Sequence, residues 1–281
     1  MQNLKGIKKW GYIDKNGIVE IPFKYDWCDD FCEGYARVNK GGKIPDDGRF
    51  VGGKWGIVDT KGNEVVPLKY DYCGDFCDGL AKVVKKDKYG LVDTTGRVVL
   101  PLKYCWISEF SDGLAIVRKD GREGFVDNTG KIVIPIEYDG VYVDFNEAGL
   151  IAGFKDGLIK VWKGSWWNSY GYIDRLGKVV VPLEYDSIGN FIEGLAIVKK
   201  NGKYGFVDTT GKVIVQLEYD KVERFKEGVP KVAFRDGVAG DLGHRNIRYK
   251  YGFVDKQGEL VVPVEYDDIE PFEGGYTIVK K

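Results

Sequence analysis

Short runs of alternating hydrophobic and polar residues cover most of the chain, and glycine-containing turns separate them. One full cycle spans residues 194–219, with the runs LAIVKK, YGFVD and KVIVQLEYD in that order. Alternation with a period of two predicts β-strands that have one buried and one solvated face. Between the last two runs lies Asp208-Thr-Thr-Gly211, in which the aspartate accepts backbone N–H bonds and the glycine takes a positive φ. The cycle therefore predicts two tight hairpins and a three-stranded antiparallel meander.

This cycle recurs seven times, which makes the chain a tandem repeat. Counted from the glycine that opens each copy, the spacing is 34 residues three times and 45 or 47 residues otherwise. An aromatic residue precedes that glycine in six copies, and Glu123 precedes it in the fourth. Aspartate three residues later, glycine six later and tyrosine fourteen later recur in every copy, and proline eleven later recurs in six. We predict one repeat domain over residues 1–281, with units beginning near residues 10, 55, 89, 123, 170, 204 and 251.

The recurring side chains predict how the units pack. Leu183 and Tyr185 share a face of the last strand, so we expect the recurring tyrosine in the core. The proline removes a ladder donor, which predicts that this strand is an edge or is broken there. We interpret the short segment after the tyrosine as a connection whose aliphatic residue and following phenylalanine, Phe145 in the fourth copy, fill the gap between sheets. One sheet alone buries too little apolar surface, so the array must be held together by neighbours.

The segments KWGYIDKNG, KWGIVDTKG and KYGFVDTTG, with the PxxYD and FxEGLAxV segments that follow, resemble the bacterial WG-repeat family. The resemblance runs from about residue 10 to the end of the chain. It implies a binding or scaffold module and supplies no catalytic residues. The tryptophan of the motif is kept only at Trp10 and Trp55, while tyrosine replaces it in four copies.

The two ends of the chain complement each other. The sequence begins with the last two strands of a unit and ends with a lone first strand, GGYTIVKK, and pairing across the termini is how β-propellers close. We therefore prefer a propeller-like closed ring of seven three-stranded units. An open β-superhelical repeat array is the alternative, because three strands are few for a propeller blade and residues 1–9 are long enough to cap an open end.

Composition narrows the classes of function. The chain has 42 basic and 43 acidic residues and one histidine, His244. This balance lacks the basic excess of nucleic-acid-binding proteins, and one histidine disfavours His-based metal sites and catalysis. No apolar run is long enough for a signal sequence or a membrane span, and five cysteines without a signal fit reduced thiols in the cytoplasm. We expect a cytoplasmic protein with no cofactor, no nucleic-acid partner and no membrane association.

The extra residues of the longer copies are the first candidate site. We place all three insertions in the hairpin between the first two strands of a unit, at Asn39–Lys54, Val161–Tyr170 and Phe234–Tyr251, so that they project from one face. The candidate partner-binding residues are Trp162, Trp166, Trp167 and Tyr170 in the second insertion and Arg245 and Arg248 in the third. Tryptophan is enriched at binding hot spots. The alternatives are that the aromatic rings fold back onto their own sheet and that the basic loop is simply solvated.

Two candidate metal sites are weaker. Cys28, Cys32, Cys73 and Cys77 occupy the same places in adjacent copies, and four converging thiolates would suit zinc. Other copies have isoleucine or valine where Cys28 and Cys73 stand, which favours small core residues instead, so we predict no metal. The recurring aspartates offer one carboxylate per turn, whereas calcium takes six to eight oxygens, so the turn interpretation is preferred.

The sequence thus predicts a non-catalytic binding or scaffold protein that presents the insertion face to a protein or peptide partner. None of the usual hydrolase, phosphate-binding or zinc-protease motifs occurs in the chain. The alternative is a carbohydrate-binding module that uses exposed tryptophans as stacking platforms.

Overall fold

A computed structural model describes residues 9–45, 49–146, 149–164, 169–223, 229–239 and 246–281. All regular secondary structure in these ranges is β-strand, so the predicted all-β tandem array is confirmed. The same ranges contain no helix of the length and apolar character that a bilayer span requires.

The described residues form six four-stranded antiparallel sheets and three two-stranded ones. The two-stranded sheets are β1 (Trp10–Ile13) with β2 (Val19–Tyr25), β16 (Val143–Asn146) with β17 (Gly149–Ala152), and β29 (Asp268–Ile269) with β30 (Val279–Lys280). The first four-stranded sheet contains β3 (Trp27–Cys28), β4 (Tyr35–Lys43), β5 (Val51–Asp59) and β6 (Glu64–Tyr70). The second contains β7 (Tyr72–Cys77), β8 (Leu80–Lys85), β9 (Lys88–Asp93) and β10 (Val98–Tyr104). The third contains β11 (Trp106–Ile107), β12 (Leu114–Lys119), β13 (Arg122–Asp127) and β14 (Ile132–Tyr138). The fourth contains β15 (Gly140–Val141), β18 (Leu158–Lys163), β19 (Ser169–Asp174) and β20 (Val179–Tyr185). The fifth contains β21 (Ser187–Ile188), β22 (Leu195–Lys200), β23 (Lys203–Asp208) and β24 (Val213–Tyr219). The sixth contains β25 (Lys221–Val222), β26 (Lys231–Ala239), β27 (Asn246–Val254) and β28 (Leu260–Tyr266).

Each complete sheet has one strand more than the sequence predicts. In the β21–β24 sheet the extra strand is β21, whose Ser187 and Ile188 pair with Lys199 and Val198 of β22. The segment after the recurring tyrosine is therefore not only a connection, since its first residues form an outer strand. Two residues are too few to show alternation, which is why the sequence pattern missed this strand. The predicted three-stranded unit is corrected to a four-stranded sheet, the usual number in a propeller blade.

The last strand of each sheet is both an edge and irregular, as the proline predicts. In the β23–β24 pair, Tyr204 is opposite Tyr219 and Phe206 is opposite Val215, so two residues of β23 face four of β24. The same shift occurs in the other copies for which the register is given. This bulge pushes the last strand towards the opening glycine, where any side chain would meet the backbone of that strand in all seven copies.

The turn between the last two strands is held by its aspartate. The Asp208 carboxylate accepts hydrogen bonds from the backbone N–H groups of Thr210 and Lys212 at 2.8 and 3.0 Å, and Gly211 has a φ of 86°. Asp14, Asp59, Asp93, Asp127, Asp174 and Asp255 accept the same two bonds. The turn interpretation is confirmed in all seven copies, and these carboxylates are committed to backbone donors rather than facing one another.

Neighbouring sheets share their cores. The recurring tyrosine is buried in six copies and half-buried at Tyr266, which confirms its place in the core. In the first copies, Tyr35 meets Phe76 of the next sheet edge-on, with ring centroids 4.8 Å apart. Phe76 therefore fills the space between these two sheets, as predicted for the recurring phenylalanine, and the two neighbouring sheets stabilise each other.

The chain divides into two compact units, Met1–Glu137 with Val143–Gly153 and Tyr138–Tyr142 with Phe154–Lys281. Each unit is a succession of the sheets described above. Whether the array closes into a ring depends on how the units are arranged, and the closed ring and the open array both stay predictions.

The fourth copy differs from its predicted layout. Most of its extra residues form the hairpin β16–β17, where Val143 pairs with Ala152, ahead of the first long strand rather than after it. The bridge from Lys155 to Leu158 repeats the bridge from Ile192 to Leu195 in the next copy. The counterpart of Phe191 is therefore Phe154, and the assignment of Phe145 to that position is wrong. The expectation that all three insertions lie in one hairpin holds for the first and sixth copies, whereas in the fourth copy only three of the extra residues lie between the paired Lys163 and Ser169.

Candidate binding surface

Two insertions lengthen the hairpin between the first two long strands. Strands β4 and β5 remain paired out to Gly42–Gly52 and Lys43–Val51. Strands β26 and β27 remain paired out to Ala239–Asn246. The lower part of each insertion is therefore a two-stranded antiparallel arm that extends its sheet. Such an arm positions side chains more firmly than an irregular loop does.

A buried amide shapes the first of these arms. The Asn39 side chain is fully buried, accepts a hydrogen bond from the Gly42 N–H at 3.1 Å and donates one to the Gly52 carbonyl at 3.2 Å. A side chain at Gly42 would collide with the ring of Phe50. The absence of a side chain at Gly42 thus leaves room for the Phe50 ring against the arm, and the satisfied amide holds the arm in one conformation.

Four aromatic side chains form a continuous row beside this arm, which we name the aromatic row: Trp10, Trp27, Phe50 and Trp55. Successive ring centroids lie 6.1, 5.2 and 5.8 Å apart, which is the range of favourable aromatic contacts. Trp10 is 53% exposed, whereas the other three rings are half-buried. The row therefore ends in a large apolar ring in contact with solvent.

Polar contacts hold the base of the row. The Asp26 carboxylate pairs with Lys9 and accepts a hydrogen bond from the Gly41 N–H at 2.7 Å, so it ties the arm to the adjoining strand. The hydrogen bond from Lys9 holds the pKa of Asp26 below its usual range. The Trp27 indole N–H donates to the Asp29 carboxylate at 2.7 Å. The rings are thereby positioned before any partner arrives, which lowers the entropic cost of binding.

This surface was missed in the sequence because the row joins residues from four strands or loops. Trp27 occupies a position that varies among copies, and Phe50 lies in an insertion, so neither belongs to a recurring pattern. The available signal was the excess of aromatic residues outside the repeat frame in the first copy. A second missed feature is the aspartate after the recurring tyrosine. Like Asp26, the residues Asp71, Asp139, Asp186 and Asp220 accept a backbone N–H bond from the hairpin between the first two long strands.

The tryptophans expected to anchor a partner are placed differently. Trp162 is half-buried, lies opposite Tyr170 with ring centroids 5.9 Å apart, and covers Gly140 of the neighbouring strand. It is thus folded onto its own sheet, which was the alternative interpretation. Trp166 and Trp167 lie outside the described residues, and a binding role for this insertion stays a prediction.

The basic residues of the third insertion are only partly described. Arg248 is exposed, Lys250 forms a 2.8 Å ion pair with Asp267, and Arg245 lies outside the described residues. Phe234 stacks on Tyr219 with centroids 4.9 Å apart at the base of this arm. An acidic partner for Arg245 and Arg248 stays a prediction.

The cysteines separate into a buried and an exposed pair. Cys73 is fully buried in a core cluster and Cys28 is half-buried, while Cys32 and Cys77 are exposed. Burial raises the pKa of Cys73 to about 12 and that of Cys28 to about 11, which disfavours the thiolates that zinc needs. Within the described ranges no three His, Cys, Asp or Glu side chains converge as metal ligands do. The core interpretation of Cys28 and Cys73 fits these positions.

Comparison with solved structures gives distant likenesses to several proteins. A eukaryotic initiation factor shares 12% identity over 84% of this chain and 66% of its own, with a TM-score of 0.35. The tricorn protease shares 13% identity over 90% of this chain and 28% of its own, with a TM-score of 0.27. The WD40 domain of SCAP from fission yeast shares 9% identity over 83% of this chain and 67% of its own, with a TM-score of 0.20. At scores this low the likenesses carry no argument about this chain. No curated protein matches the sequence.

The family model described as "WG containing repeat" matches seven times along the chain. The matched residues are 10–43, 55–89, 89–122, 124–161, 170–204, 204–237 and 251–281. Six matches begin at an aromatic–glycine pair and the fourth begins at Gly124, and the opening glycine is pressed against the bulged last strand in every copy. Because these matches account for most of its length, the chain belongs to the WG-repeat family.

Proposed function

We propose that this chain is a non-catalytic binding or scaffold protein that uses its hairpin arms to hold a protein or peptide partner. The observation that supports this most directly is the aromatic row, which ends in the half-exposed ring of Trp10 beside the first arm. Large, rigid aromatic side chains supply much of the energy at protein interfaces. This anchor differs from the second-insertion tryptophans that the sequence favours.

The surroundings of the row fit a partner with apolar side chains. Ile44 is 58% exposed and Val51 is 41% exposed, and both lie on the same arm as Phe50. Exposed apolar residues grouped on one rigid element are typical of interaction sites. The carboxylates nearby, such as Asp26, are engaged with lysine and backbone donors, which leaves them little capacity for acid–base chemistry.

Carbohydrate binding is the second candidate, and the exposed face of Trp10 is its supporting observation. The rings of the row are tilted against each other by 52°, 43° and 76°. Such rings do not form the flat platform on which successive sugar rings stack. The geometry therefore favours a protein or peptide over a glycan chain.

A quantitative affinity capture from a cell lysate tests the proposal, with the full chain and Trp10→Ala as baits. Trp10 is half-exposed, so its truncation is expected to leave the fold intact. The matched control is Leu176→Ala, which truncates an exposed apolar side chain in the other compact unit. We expect specific proteins to be retained by the wild type and the control and lost with Trp10→Ala. Equal retention by all three baits would contradict the proposal. Binding on a glycan array that depends on Trp10 would support the carbohydrate alternative instead.

A further inference from the structure

A cation at one position of the first long strand links neighbouring repeats. Arg37, opposite Ile57 in the sheet, lies 3.1 Å from the Asp75 carboxylate of the next copy. Lys82, at the same position opposite Leu91, lies 2.5 Å from the Glu109 carboxylate of the following copy. The acidic partner is in each case nineteen residues after an opening glycine. The same contact between neighbouring sheets thus occurs twice, at Arg37 and at Lys82.

In the fourth copy the cation recurs, but an amide occupies the position of its acidic partner. Lys160 occupies this position, opposite Tyr172, and is half-buried with its ammonium 5.2 Å from the centre of the Tyr142 ring. Among the residues that the structure describes, no carboxylate lies within ion-pair distance of Lys160. The residue nineteen positions after the next opening glycine is Asn190, a neutral amide in place of an acid. Burial without a counter-ion lowers the pKa of Lys160, since the charged form is poorly solvated there.

A cavity of about 530 Å³ opens at Asn190. Ile188, Phe191 and Leu195 form apolar parts of its wall, and Asn190 and Lys155 supply polar groups. Lys155 is exposed and has no carboxylate within ion-pair distance in the described part of the chain. This volume is in the range of natural ligand pockets, which are mostly apolar with a few convergent polar groups.

Tyr172 connects the unpaired lysine to this cavity. It is the cross-strand neighbour of Lys160, and its hydroxyl donates a 2.9 Å hydrogen bond to the carbonyl of Gly189 in the cavity wall. All of these residues belong to one compact unit. Lys155 lines the cavity. Lys160 occupies the strand position from which Arg37 and Lys82 reach the carboxylates equivalent to Asn190.

The corresponding cavity in the last copy has the opposite character. It measures about 490 Å³ and is lined by Glu270 and Glu273 together with Tyr276 and Ile278. Its position in the repeat is the same, but its charges are acidic. The basic character is thus a property of the cavity at Asn190 and not of the repeat in general.

We infer that the cavity at Asn190 binds an extended peptide segment that carries a carboxylate next to an apolar side chain. The carboxylate takes the place that Asp75 and Glu109 occupy in the earlier copies, and the apolar side chain fills the cavity between Ile188, Phe191 and Leu195. Charge-assisted hydrogen bonds between lysine and carboxylate are stronger than neutral ones, and opposite charges across an interface select the partner. This site is independent of the aromatic row, so either can fail without the other.

Fluorescence polarisation with synthetic peptides on the full chain tests this inference. The probes, all with an amidated C-terminus, are fluorescein-labelled Asp-Leu-Asp-Leu, its counterpart Asn-Leu-Asn-Leu without carboxylate side chains, and Asp-Gly-Asp-Gly, which lacks the apolar side chains. We expect the first peptide to bind at least tenfold more tightly than either of the others. Equal binding of the first two, or no binding of any peptide, would overturn the inference. Equal binding of Asp-Gly-Asp-Gly, with displacement by inorganic phosphate, would overturn it in favour of a general anion site.

Asn190→Asp is the decisive variant because it supplies the missing acid from within the chain. We expect it to raise the melting temperature, by pairing with Lys160, and to weaken binding of Asp-Leu-Asp-Leu at least tenfold. Gln216→Glu, which adds the same charge at an exposed position on the opposite edge strand, is the control and leaves binding unchanged. Lys160→Met should weaken binding to a similar extent. An Asn190→Asp protein that gains stability but binds the peptide as before would show that the position is only structural and would overturn the inference.

Discussion

Gly90 lies against the carbonyl group of Leu100, on the bulged strand that runs beside it. A Cβ atom on residue 90 would come 2.6 Å from that oxygen and 2.9 Å from the Leu102 side chain. Real Cβ atoms do not approach a carbonyl so closely, so the last strand of the sheet reaches its position only because residue 90 has no side chain. The glycine of the aromatic–glycine pair is therefore required by packing between strands and not by a turn.

Gly90→Ala should lower the free energy of unfolding by about 2–3 kcal/mol, because the backbone of β10 must move away from β9. Urea denaturation followed by circular dichroism measures this change. Gly74→Ala in the same sheet is the matched control, since a Cβ there would make only ordinary contacts at 3.6 Å. The packing explanation fails if the two variants are destabilised equally.

The turn aspartates make stability depend on acid pH. A side-chain hydrogen bond from Thr95, with backbone bonds from Thr95 and Arg97, lowers the pKa of Asp93 from 3.8 to about 2. Because the folded-state pKa is below the unfolded one, the contribution is fully present above about pH 4 and is lost as the pH falls towards 2. Asp93→Asn should therefore lower stability at pH 7 and flatten the loss of stability between pH 4 and 2.

Urea titrations at several pH values test this expectation. Asp120→Asn serves as the control, because the Asp120 side chain is 84% exposed and asparagine tolerates its positive φ of 52°. An unchanged acid profile in Asp93→Asn would show that the turn carboxylate does not contribute to the pH dependence.

Glu123 replaces the aromatic residue of the motif and is buried against Arg118. The Arg118 Nε atom donates to the Glu123 carboxylate at 2.8 Å, and the guanidinium lies 5.6 Å from the Trp106 ring centre. Glu123→Gln should cost about 1–3 kcal/mol, because it removes the charge that this guanidinium faces. Thermal denaturation of the variant measures the loss.

Glu123→Tyr is the informative comparison, since it restores the residue that four other copies carry. We expect it to destabilise less than Glu123→Gln, because Arg118 can then lie over the ring as Lys199 lies 5.0 Å from the Tyr204 ring centre. A glutamine variant as stable as the wild type would show that the ion pair contributes nothing.

The cysteines should differ in reactivity. Cys32, Cys77 and Cys105 are exposed, whereas burial raises the pKa values of Cys28 and Cys73 to about 11 and 12. At pH 8, iodoacetamide followed by mass spectrometry should modify the exposed thiols first and leave Cys73 intact until the protein unfolds. The experiment is repeated with added zinc, and protection of Cys28, Cys32, Cys73 and Cys77 together would show that the buried-thiol interpretation is wrong.

Much of the local structure could be predicted because its signals lie within a few residues. The aspartate and glycine at Asp208 and Gly211 form the predicted turn, and the alternation around Tyr185 places this tyrosine in the core as expected. The outer strand Ser187–Ile188 could not be predicted, because it is too short to alternate and exists only through its pairing with β22. The Phe145 assignment failed for a related reason, since counting along the sequence does not reveal an inserted hairpin such as β16–β17.

The candidate sites were predicted less well. The two extended arms could be predicted, because the first and sixth copies are longer than 34 residues. The aromatic row could not, because it brings together four residues from separate elements, Trp10, Trp27, Phe50 and Trp55. Nothing in the spacing of these residues indicates contact. Conversely, the cluster of aromatic residues around Trp162 predicts that their side chains are exposed, whereas the Trp162 ring lies over Gly140.

The sequence by itself determined the number of repeats, the class of secondary structure and the turns, because each depends on the conformational preferences of adjacent residues. Tertiary structure alone decided which aromatic rings are exposed, why each repeat opens with glycine, and that Lys160 has no carboxylate within ion-pair distance in the described part of the chain. Those features arise where strands distant in sequence press together, and the energy of such contacts depends on distances that no local pattern encodes. Lys160 is the plainest instance, because it repeats the position of Lys82 and differs only in what the next repeat places beside it.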